Sequence, residues 1–256
     1  MTAIKIAFAN QKGGVGKSTI CTQTAFFLAG KMGKKILVID ADAQGNSTST
    51  LLQRAEPTGT FSHQLLDPDL ESVEIMRTPH ENIDLIGSPR NSDEGYDAEA
   101  LDLELVTLPA ERIAQFEDQY DYILIDCPPS LGRKLLSALV MTQFVVCPVK
   151  VSGYALEGLE GLFRTISRVQ EFNEDLNVVG AIVNEYDGGA SHKLALEELR
   201  AQTPGLIFDN MLRHRPPIDA AQMRGVPIWK VPHGIHAAKE FRLVVEELLA
   251  RIDALI

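Results

Sequence analysis

The sequence predicts an α/β fold of three layers, in which a mostly parallel, twisted sheet is covered by helices on both faces. Short apolar runs typical of buried strands recur along the chain, and segments of helical periodicity separate most of them. This alternation favours a parallel sheet, because parallel neighbours need a crossover that a helix supplies. The apolar runs lie at residues 4–9, 36–40, 83–86, 122–126, 144–149, 178–183 and around 206–208.

The helical segments follow these runs in chain order. Residues 19–28 come after the first run and its glycine-rich loop. Residues 89–100 are polar and turn-rich, which predicts an exposed loop that enters a helix near 101–116. Residues 156–169 keep the 3–4 spacing of an amphipathic helix. Residues 239–252 do the same with an acidic polar face, which favours a packed terminal helix over a membrane anchor.

Length and composition predict a single domain over residues 1–256. The chain has 256 residues, 45% of them hydrophobic, and no repeat or low-complexity segment interrupts it. The first strand begins within a few residues of Met1, so we expect neither a signal peptide nor an N-terminal accessory domain. No apolar run approaches the roughly 18 residues that span a bilayer, and we expect a cytoplasmic protein.

The glycine-rich loop after the first run predicts a phosphate-binding site. Glycines let backbone N–H groups converge on an anion without a Cβ in the way, and the following helix adds the positive end of its dipole. Lys17 is expected to reach the β- and γ-phosphates of a nucleotide, and Ser18 to offer its hydroxyl to Mg²⁺. The alternative is a surface turn that holds two lysines by chance. The loop comprises Lys12, Gly13, Gly14, Val15, Gly16, Lys17, Ser18 and Thr19.

This loop departs from the ordinary phosphate-binding pattern G-x-x-x-x-G-K-[ST]. Gln11 stands where the first glycine would be, and Lys12 adds a second lysine. The variant resembles the deviant Walker A box of the ParA/MinD family of ATPases, which implies the P-loop NTPase fold. The resemblance also implies that Lys12 crosses the interface of an ATP-bound homodimer and contacts the partner's nucleotide.

Four further segments resemble the same family and extend the likeness to about residue 230. Asp40 and Asp42 form an Asp-x-Asp pair after the second run, although Ala43 replaces the proline usual in the ParA branch. Asp126 ends a run that looks like the family's Walker B strand. The resemblance points to the ParA, Soj-like branch, in its small form without an N-terminal DNA-binding domain. The remaining two segments are residues 148–159 and 225–229.

The three aspartates are the candidate carboxylates for metal binding and catalysis. Phosphoryl transfer requires neutralised phosphate charge, a held Mg²⁺ and a positioned nucleophile. We expect Ser18, Asp40 and Asp126 to hold Mg²⁺ directly or through water. The resemblance implies that Asp42 orients the attacking water, while Lys12 and Lys17 neutralise the phosphates of ATP. Each aspartate could instead be a turn former or helix cap, which is common where a strand meets a loop.

Recognition of the adenine base is less visible. Members of the family often hold the base with an asparagine or the backbone after the strand that here ends at Asn184, so Asn184 is the candidate. An asparagine that simply ends a strand is an equal alternative. Residues 211–217 could also line the base pocket.

The charge balance argues against nucleic-acid binding by the surface as a whole. Lys and Arg total 24 against 35 Asp and Glu, a net charge of −11. The resemblance implies nonspecific DNA binding through arginines, but glycine stands at one usual arginine site, within residues 185–190. DNA contact would therefore need a local patch, completed by dimerisation, although each candidate could equally be solvated or ion-paired. The candidates are Arg213, Arg215, Arg224, Lys230, Lys239 and Arg242.

Two other features bear on partners. The three cysteines, at 21, 127 and 147, are expected to be reduced and buried, not ligands of the bridging cluster found in related iron–sulfur ATPases. Arg133 and Lys134 begin the helix after Asp126, where they could pair with acidic groups at a dimer seam or on a partner.

The resemblance as a whole implies an ATP-dependent switch. Two subunits would dimerise on ATP and hydrolyse it slowly with Mg²⁺, and a ParB-like centromere-binding partner would stimulate hydrolysis to drive plasmid or chromosome partition. The protein would be nucleoid-associated if it binds DNA, and no membrane association is expected. The alternatives are a MinD-like or other cargo-positioning ATPase that acts on a membrane or protein complex, a reductase with a bridging cluster, and a nucleotide-binding scaffold without turnover.

Overall fold

The computed structural model describes residues 2–100, 102–151 and 155–256. The strands of this part of the chain are β1 (Ile4–Phe8), β2 (Ile36–Asp40), β3 (Met76–Arg77), β4 (Ile83–Ile86), β5 (Tyr122–Asp126), β6 (Phe144–Lys150) and β7 (Asn177–Asn184). They form one sheet in the order β3-β4-β2-β5-β1-β6-β7, in which only the short edge strand β3 is antiparallel to its neighbour. The predicted, mostly parallel sheet is confirmed.

Helices cover both faces of the sheet. Those of the described residues are α1 (Lys17–Met32), α2 (Asn46–Leu51), α3 (Asp93–Asp97), α4 (Leu108–Ala114), α5 (Arg133–Val140), α6 (Ala155–Val169), α7 (Ala190–Gln202), α8 (Pro216–Arg224) and α9 (Ile235–Asp253). Alternate side chains of β1 point to opposite faces: Ile6 and Phe8 pack with α1, α8 and α9, and Ala7 packs with the side of α4 to α7. Both faces of β1 are therefore buried, as parallel sheets require.

The order of strands fixes the position of the candidate site. β1 lies between β5 and β6, and β5 lies between β1 and β2, so the carboxyl ends of these strands meet at one edge. Phe8 and Asp40 are both register partners of Asp126. The loop after β1 therefore lies beside both aspartates, as expected for a ligand site in an open α/β sheet.

The predicted strand around residues 206–208 was wrong. Ile207 pairs with Ala181 through an isolated bridge only. The pairing with β7 is one residue long: the Ala181 N–H donates to the Leu206 carbonyl oxygen, and the Phe208 N–H donates to the Ala181 carbonyl oxygen. The Arg251 guanidinium also donates to the carbonyl oxygens of Gly205 and Ile207, each at 3.0 Å.

The helical segments differ from their predicted bounds. α1 extends beyond residues 19–28 at both ends, and it ends where Gly33 adopts a left-handed φ of 66°. Near its end, Trp229 packs against Gly30, and the Lys31 Nζ lies 4.7 Å from the Trp229 ring centroid. The helix predicted near 101–116 is divided into a 3₁₀ turn, Leu103–Thr107, and α4.

The structure bears on three further predictions, which concern the terminal helix, a membrane-spanning helix and the segment 148–159. α9 buries one face against the sheet, through Phe241, Val244 and Leu248 among others, as expected for a packed terminal helix. Within the described ranges, no helix combines the length and apolarity needed to cross a bilayer. Residues 152–154 of the family-like segment 148–159 lie outside the described residues.

Candidate active site

The loop between β1 and α1 has the geometry of an anion cradle. Gly14 and Gly16 adopt φ values of 70° and 98°, which L-residues with a side chain rarely adopt. A Cβ on Gly16 would lie 2.2 Å from the Asn184 amide nitrogen, whereas a Cβ on Gly13 or Gly14 would meet nothing within 4 Å. The loop is therefore packed tightly on one side and open on the other.

The two lysines of the loop take different positions. Lys17 is only 6% exposed, and its ammonium donates to the Lys12 carbonyl oxygen at 3.4 Å. The Lys12 N–H donates to Asn10 Oδ1 at 2.9 Å, and the Asn10 amide donates to the Pro148 carbonyl oxygen. The aliphatic stem of Lys12 lies across α6, where a Cβ on Gly158 would come 3.1 Å from its Cε. Lys17 thus lies inside the cradle, while the stem of Lys12 runs outside it.

Asp40 and Asp126 lie side by side at the ends of β2 and β5, and both are fully buried. Asp40 Oδ2 accepts hydrogen bonds from the N–H and the hydroxyl of Thr48, both at 2.8 Å. Asp126 Oδ2 accepts one from the Ser47 hydroxyl at 2.7 Å. Asp126 Oδ1 is buried and has no hydrogen-bond partner within the described residues. One carboxylate oxygen is therefore left for a ligand.

Burial raises the pKa of both aspartates. The pKa of Asp126 is raised to about 6, because loss of hydration outweighs the opposing effects of the Ser18 and Ser47 hydroxyls. The pKa of Asp40 is raised well above its usual value, first by burial and then by the charge of Asp126, against the hydrogen bonds from Thr48. Two buried carboxylates at adjacent strand ends therefore repel each other, and a cation would relieve that repulsion.

The donor set fits a hard cation. Mg²⁺ takes oxygen ligands, usually one or two carboxylates with waters and substrate phosphates. Asp126 Oδ1 is free to accept, and Ser18 lies close enough to affect the pKa of Asp126 without a hydrogen bond of ordinary geometry. The described residues contain no group of three or more His, Cys, Asp or Glu that could hold a metal. A metal here would need Ser18, water or phosphate oxygens as further ligands.

Asp42 lies in the loop that follows β2, two residues after Asp40. It is 8% exposed, and its Oδ1 accepts the Gln44 N–H at 3.0 Å. The turn closes through the Gly45 N–H, which donates to the Asp42 carbonyl oxygen. Gly45 has a φ of 62°, and a Cβ on it would lie 2.9 Å from the Ser88 carbonyl oxygen. Asp42 is thus held on a tight turn beside the phosphate loop.

A cavity of about 490 Å³ lies along the phosphate loop. It is lined by Gly13, Gly14 and Gly16–Thr19 of the phosphate loop, and by Asp42 and Asn184 of other segments. Asp40, Asp126, Val15 and Lys12 do not line it. The wall facing the loop comes from Asn46, Ser49, Thr50, Arg54, Arg90, Ile218, Asp219, Gln222 and Met223.

Asn184 has a structural contact that the sequence did not reveal. Its side-chain amide donates to the Val15 carbonyl oxygen at 2.9 Å and thereby ties the end of β7 to the phosphate loop. It also lines the cavity, together with His214 and Arg215 from the predicted 211–217 segment. Contact of Asn184 with a base remains a prediction.

Sequence reasoning missed Ser47 and Thr48, the hydroxyl residues that orient Asp126 and Asp40. The available signal was their position at the start of a helix a few residues after the Asp-x-Asp pair. Lys134 is 6% exposed, which the sequence did not indicate. Burial lowers its pKa, and the charges of Glu99, Asp42 and Asp40 oppose that effect. Pairing of Lys134 at a dimer seam or on a partner stays a prediction.

Two of the six basic candidates for DNA contact form ion pairs, and the three cysteines are free thiols. Arg215 pairs with Glu240 at 2.6 Å, and Arg242 pairs with Glu246 at 2.9 Å. The other four basic candidates form no ion pair with a described residue. The three thiols are free and buried, and burial raises the pKa of each.

The chain is similar to known proteins in sequence and in fold. A family model described as an AAA domain, AAA_31, matches residues 3–178. The chromosome-partitioning ATPase Soj of Thermus thermophilus is 35% identical over 260 residues, with 97% of this chain and 96% of the relative covered. The sporulation initiation inhibitor protein Soj of Bacillus subtilis is 33% identical over 232 residues, with 87% and 89% covered. The Cyanothece McdA–ATP complex superposes with a TM-score of 0.84 over 97% of each chain, and at 20% identity this likeness concerns the fold alone.

Proposed function

The chain belongs to the ParA/Soj family of partition ATPases, and from this we propose that it binds ATP with Mg²⁺, dimerises on it and hydrolyses it slowly to drive DNA partition. The observation that supports the chemistry best is the pair of buried aspartates beside the phosphate loop. Their charges repel, and Asp126 Oδ1 has no hydrogen-bond partner in the described residues. Both features favour a divalent cation that arrives with the nucleotide.

The residues around the triphosphate would have separate roles in phosphate binding and metal binding. Open N–H groups of the loop at Gly13 and Gly14 would bind phosphate oxygens, and Lys17 would neutralise their charge inside the cradle. Ser18, Asp40 and Asp126 would hold Mg²⁺ directly or through water. When bound, that ion stabilises the charge that develops on the transferred phosphoryl group.

Asp42 would orient the attacking water. It lines the cavity and lies on a turn that the Gly45 N–H closes, so its carboxylate can be positioned without belonging to the metal pair. We assign Lys12 to the partner's nucleotide, because its stem already runs outside its own cradle.

The proposal extends to partners of the protein. A homodimer that forms with ATP, a ParB-like protein that stimulates hydrolysis and nonspecific DNA contact through a dimer-formed basic patch would follow from membership of the family. We propose a cytoplasmic location, with association to the nucleoid when DNA is bound.

Phosphate release and dimerisation by three variants test this function. Asp42→Ala should keep the ATP-dependent dimer, measured by light scattering, while phosphate release falls at least about tenfold through loss of water positioning. Lys12→Ala should lose the dimer at the same ATP concentration. Asp69→Ala, an exposed aspartate away from the cavity, serves as the matched control and should match the wild type.

Three outcomes would contradict this proposed function. Full phosphate release by Asp42→Ala would remove that residue from catalysis. An unaltered dimer in Lys12→Ala would count against a nucleotide shared between subunits. Wild-type protein that binds ATP without releasing phosphate would be a scaffold and not an enzyme.

A further inference from the structure

Two glycines of α6 lie against the start of the phosphate loop. Gly158 and Gly161 stand three positions apart within α6, so they lie on the same side of the helix. Glycine inside a helix is less favourable than alanine, and its presence there usually has a packing reason. The structure supplies that reason, because the side chains of Lys12 and Gln11 pack on these two positions. Gly158 and Gly161 are called the α6 groove below.

The stem of Lys12 fills the space over Gly158, which is itself buried. An ideal Cβ on Gly158 would lie 3.1 Å from Lys12 Cε and 3.3 Å from both Lys12 Cγ and Lys12 Cδ, and these are its three nearest neighbours. Such distances are shorter than ordinary van der Waals contact, so a methyl group there would displace the flexible lysine stem. The absence of a side chain at Gly158 therefore permits the observed position of Lys12.

Gln11 occupies the second position of the groove. An ideal Cβ on Gly161 would overlap the Gln11 side-chain amide, which supplies its three nearest atoms. The amide nitrogen of Gln11 is buried and has no hydrogen-bond partner among the described residues. A buried donor without a partner costs free energy. Packing against α6, and not a hydrogen bond of this nitrogen, therefore holds Gln11 in place.

Both sides of this contact are anchored to the sheet. Leu159 and Leu162 of α6 are fully buried in the core. On the loop side, the Lys12 N–H donates to Asn10 Oδ1 at 2.9 Å, and the Asn10 amide donates to the Pro148 carbonyl oxygen of β6 at 2.8 Å. The groove thus has a fixed position relative to the loop.

We infer that Gly158 and Gly161 are positioning residues for Lys12, because the α6 groove holds its stem across the helix and outside its own cradle. Lys17 occupies that cradle, and Lys12 does not line the nucleotide cavity of its own subunit. The groove keeps the Lys12 stem ordered for the nucleotide of a second subunit, which lowers the entropy lost when the dimer forms. This inference rests on the proposed function, because it presupposes that Lys12 binds the partner's nucleotide.

The first test is Gly158→Ala in the full chain, with the ATP-dependent dimer measured by light scattering over a range of protein concentrations. The dissociation constant of the dimer should rise at least about fivefold, because two displaced stems, one from each subunit, have to be ordered again. Affinity for a fluorescent ADP analogue should stay within about twofold, because Gly158 and Lys12 lie outside the cavity. Ser167→Ala, an exposed position of α6 outside the groove, is the matched control and should dimerise like the wild type.

The second test uses the contact between Gly161 and Gln11 and also decides the matter if Gly158→Ala fails to fold. Gly161→Ala should weaken the dimer, because the added methyl group overlaps the Gln11 amide and displaces the segment that carries Lys12. Gln11→Ala in the same chain removes the overlap, so the double variant should dimerise within about twofold of Gln11→Ala alone. A general disturbance of α6 would not be rescued by a change at Gln11.

The outcomes separate this inference from the proposed function. A dimer of Gly158→Ala that is as tight as the wild type or tighter would overturn the positioning role, as would a Gly161→Ala defect that Gln11→Ala does not rescue. If Lys12→Ala loses the dimer in the same assay, the proposed function still stands. A wild-type protein that forms no dimer with ATP, or a Lys12→Ala dimer equal to the wild type, would overturn the shared nucleotide itself, and this inference would fall with it.

Discussion

At the scale of single residues, the main electrostatic feature of the site is the repulsion between the Asp40 and Asp126 carboxylates. Asp40 and Asp126 are fully buried, and burial raises the pKa of each. Ser47 and Thr48 donate hydrogen bonds to them through two hydroxyls and one backbone N–H. These bonds hold the pair in place against an electrostatic cost that a bound cation would remove.

This cost gives a stability prediction for Asp126→Asn. Because the pKa of Asp126 is about 6 in the folded protein, the folded protein binds a proton there more readily than the unfolded chain does. The free energy of unfolding therefore falls as the pH rises from about 4 to about 6, and it stays reduced at higher pH. The nucleotide-free variant should melt about 3–6 °C above the wild type at pH 8, and the difference should vanish near pH 4.

The same melting experiment measures metal binding. Added Mg-ADP should stabilise the wild type more than Asp126→Asn. The control is Asp118→Asn, an exposed carboxylate whose removal should change neither property. A variant that melts below the wild type at pH 8 would contradict the proposed repulsion.

At the scale of elements, the phosphate loop is fixed by strands distant in sequence. The Asn184 amide at the end of β7 binds the Val15 carbonyl oxygen, and Asn10 binds Pro148 on β6. Gly16 fits only because it has no Cβ to meet Asn184. Contacts within the protein thus hold the conformation of the loop, which lowers the entropy cost of binding.

Asn184→Ala should loosen this arrangement. The change leaves the Val15 carbonyl without its partner, which costs about 1–3 kcal/mol. We expect a lower midpoint of urea unfolding and about tenfold weaker ADP binding, measured by fluorescence titration. Asn177→Ala, at the opposite end of β7, is the control. ADP affinity equal to that of the wild type in Asn184→Ala would show that the contact does not shape the loop.

The phosphate loop and the three aspartates could be predicted from sequence because each is a local motif at a strand end. Other features depend on packing that no local pattern contains. Lys134 looks like a surface residue at a helix start, but the fold buries it near Glu99, Asp42 and Asp40, which are distant in sequence. Residues 206–208 look like a strand, but they pair with β7 only through an isolated bridge between Ile207 and Ala181. Asn184 ends a strand as expected, yet its partner lies 169 positions earlier in the chain.

At the scale of the whole molecule, charge decides what the surface can bind. The net charge is −11, and two of the six basic candidates for DNA contact are already paired with glutamates of α9. The remaining candidates, Arg213, Arg224, Lys230 and Lys239, form no ion pair with a described residue. DNA binding would depend on these side chains from two subunits together.

A gel shift on random duplex DNA tests this reasoning. We expect retardation only with ATP, and a steep loss of affinity as salt rises, because the neutralisation of phosphates releases counterions. Arg224→Ala should reduce the slope of log affinity against log salt by about one for each phosphate that this arginine neutralises. Arg242→Ala, whose side chain is paired with Glu246, should leave the slope unchanged. DNA retained equally without ATP would contradict a patch that needs the dimer.

The arrangement at the end of α1 has a practical consequence. Trp229 is the only tryptophan of the chain, and it rests on Gly30 and under Lys31. The same helix, α1, starts at the phosphate loop, about four turns away. If a bound triphosphate displaces α1, the surroundings of the Trp229 indole change. The intrinsic tryptophan fluorescence would then report nucleotide binding in real time, without an attached dye.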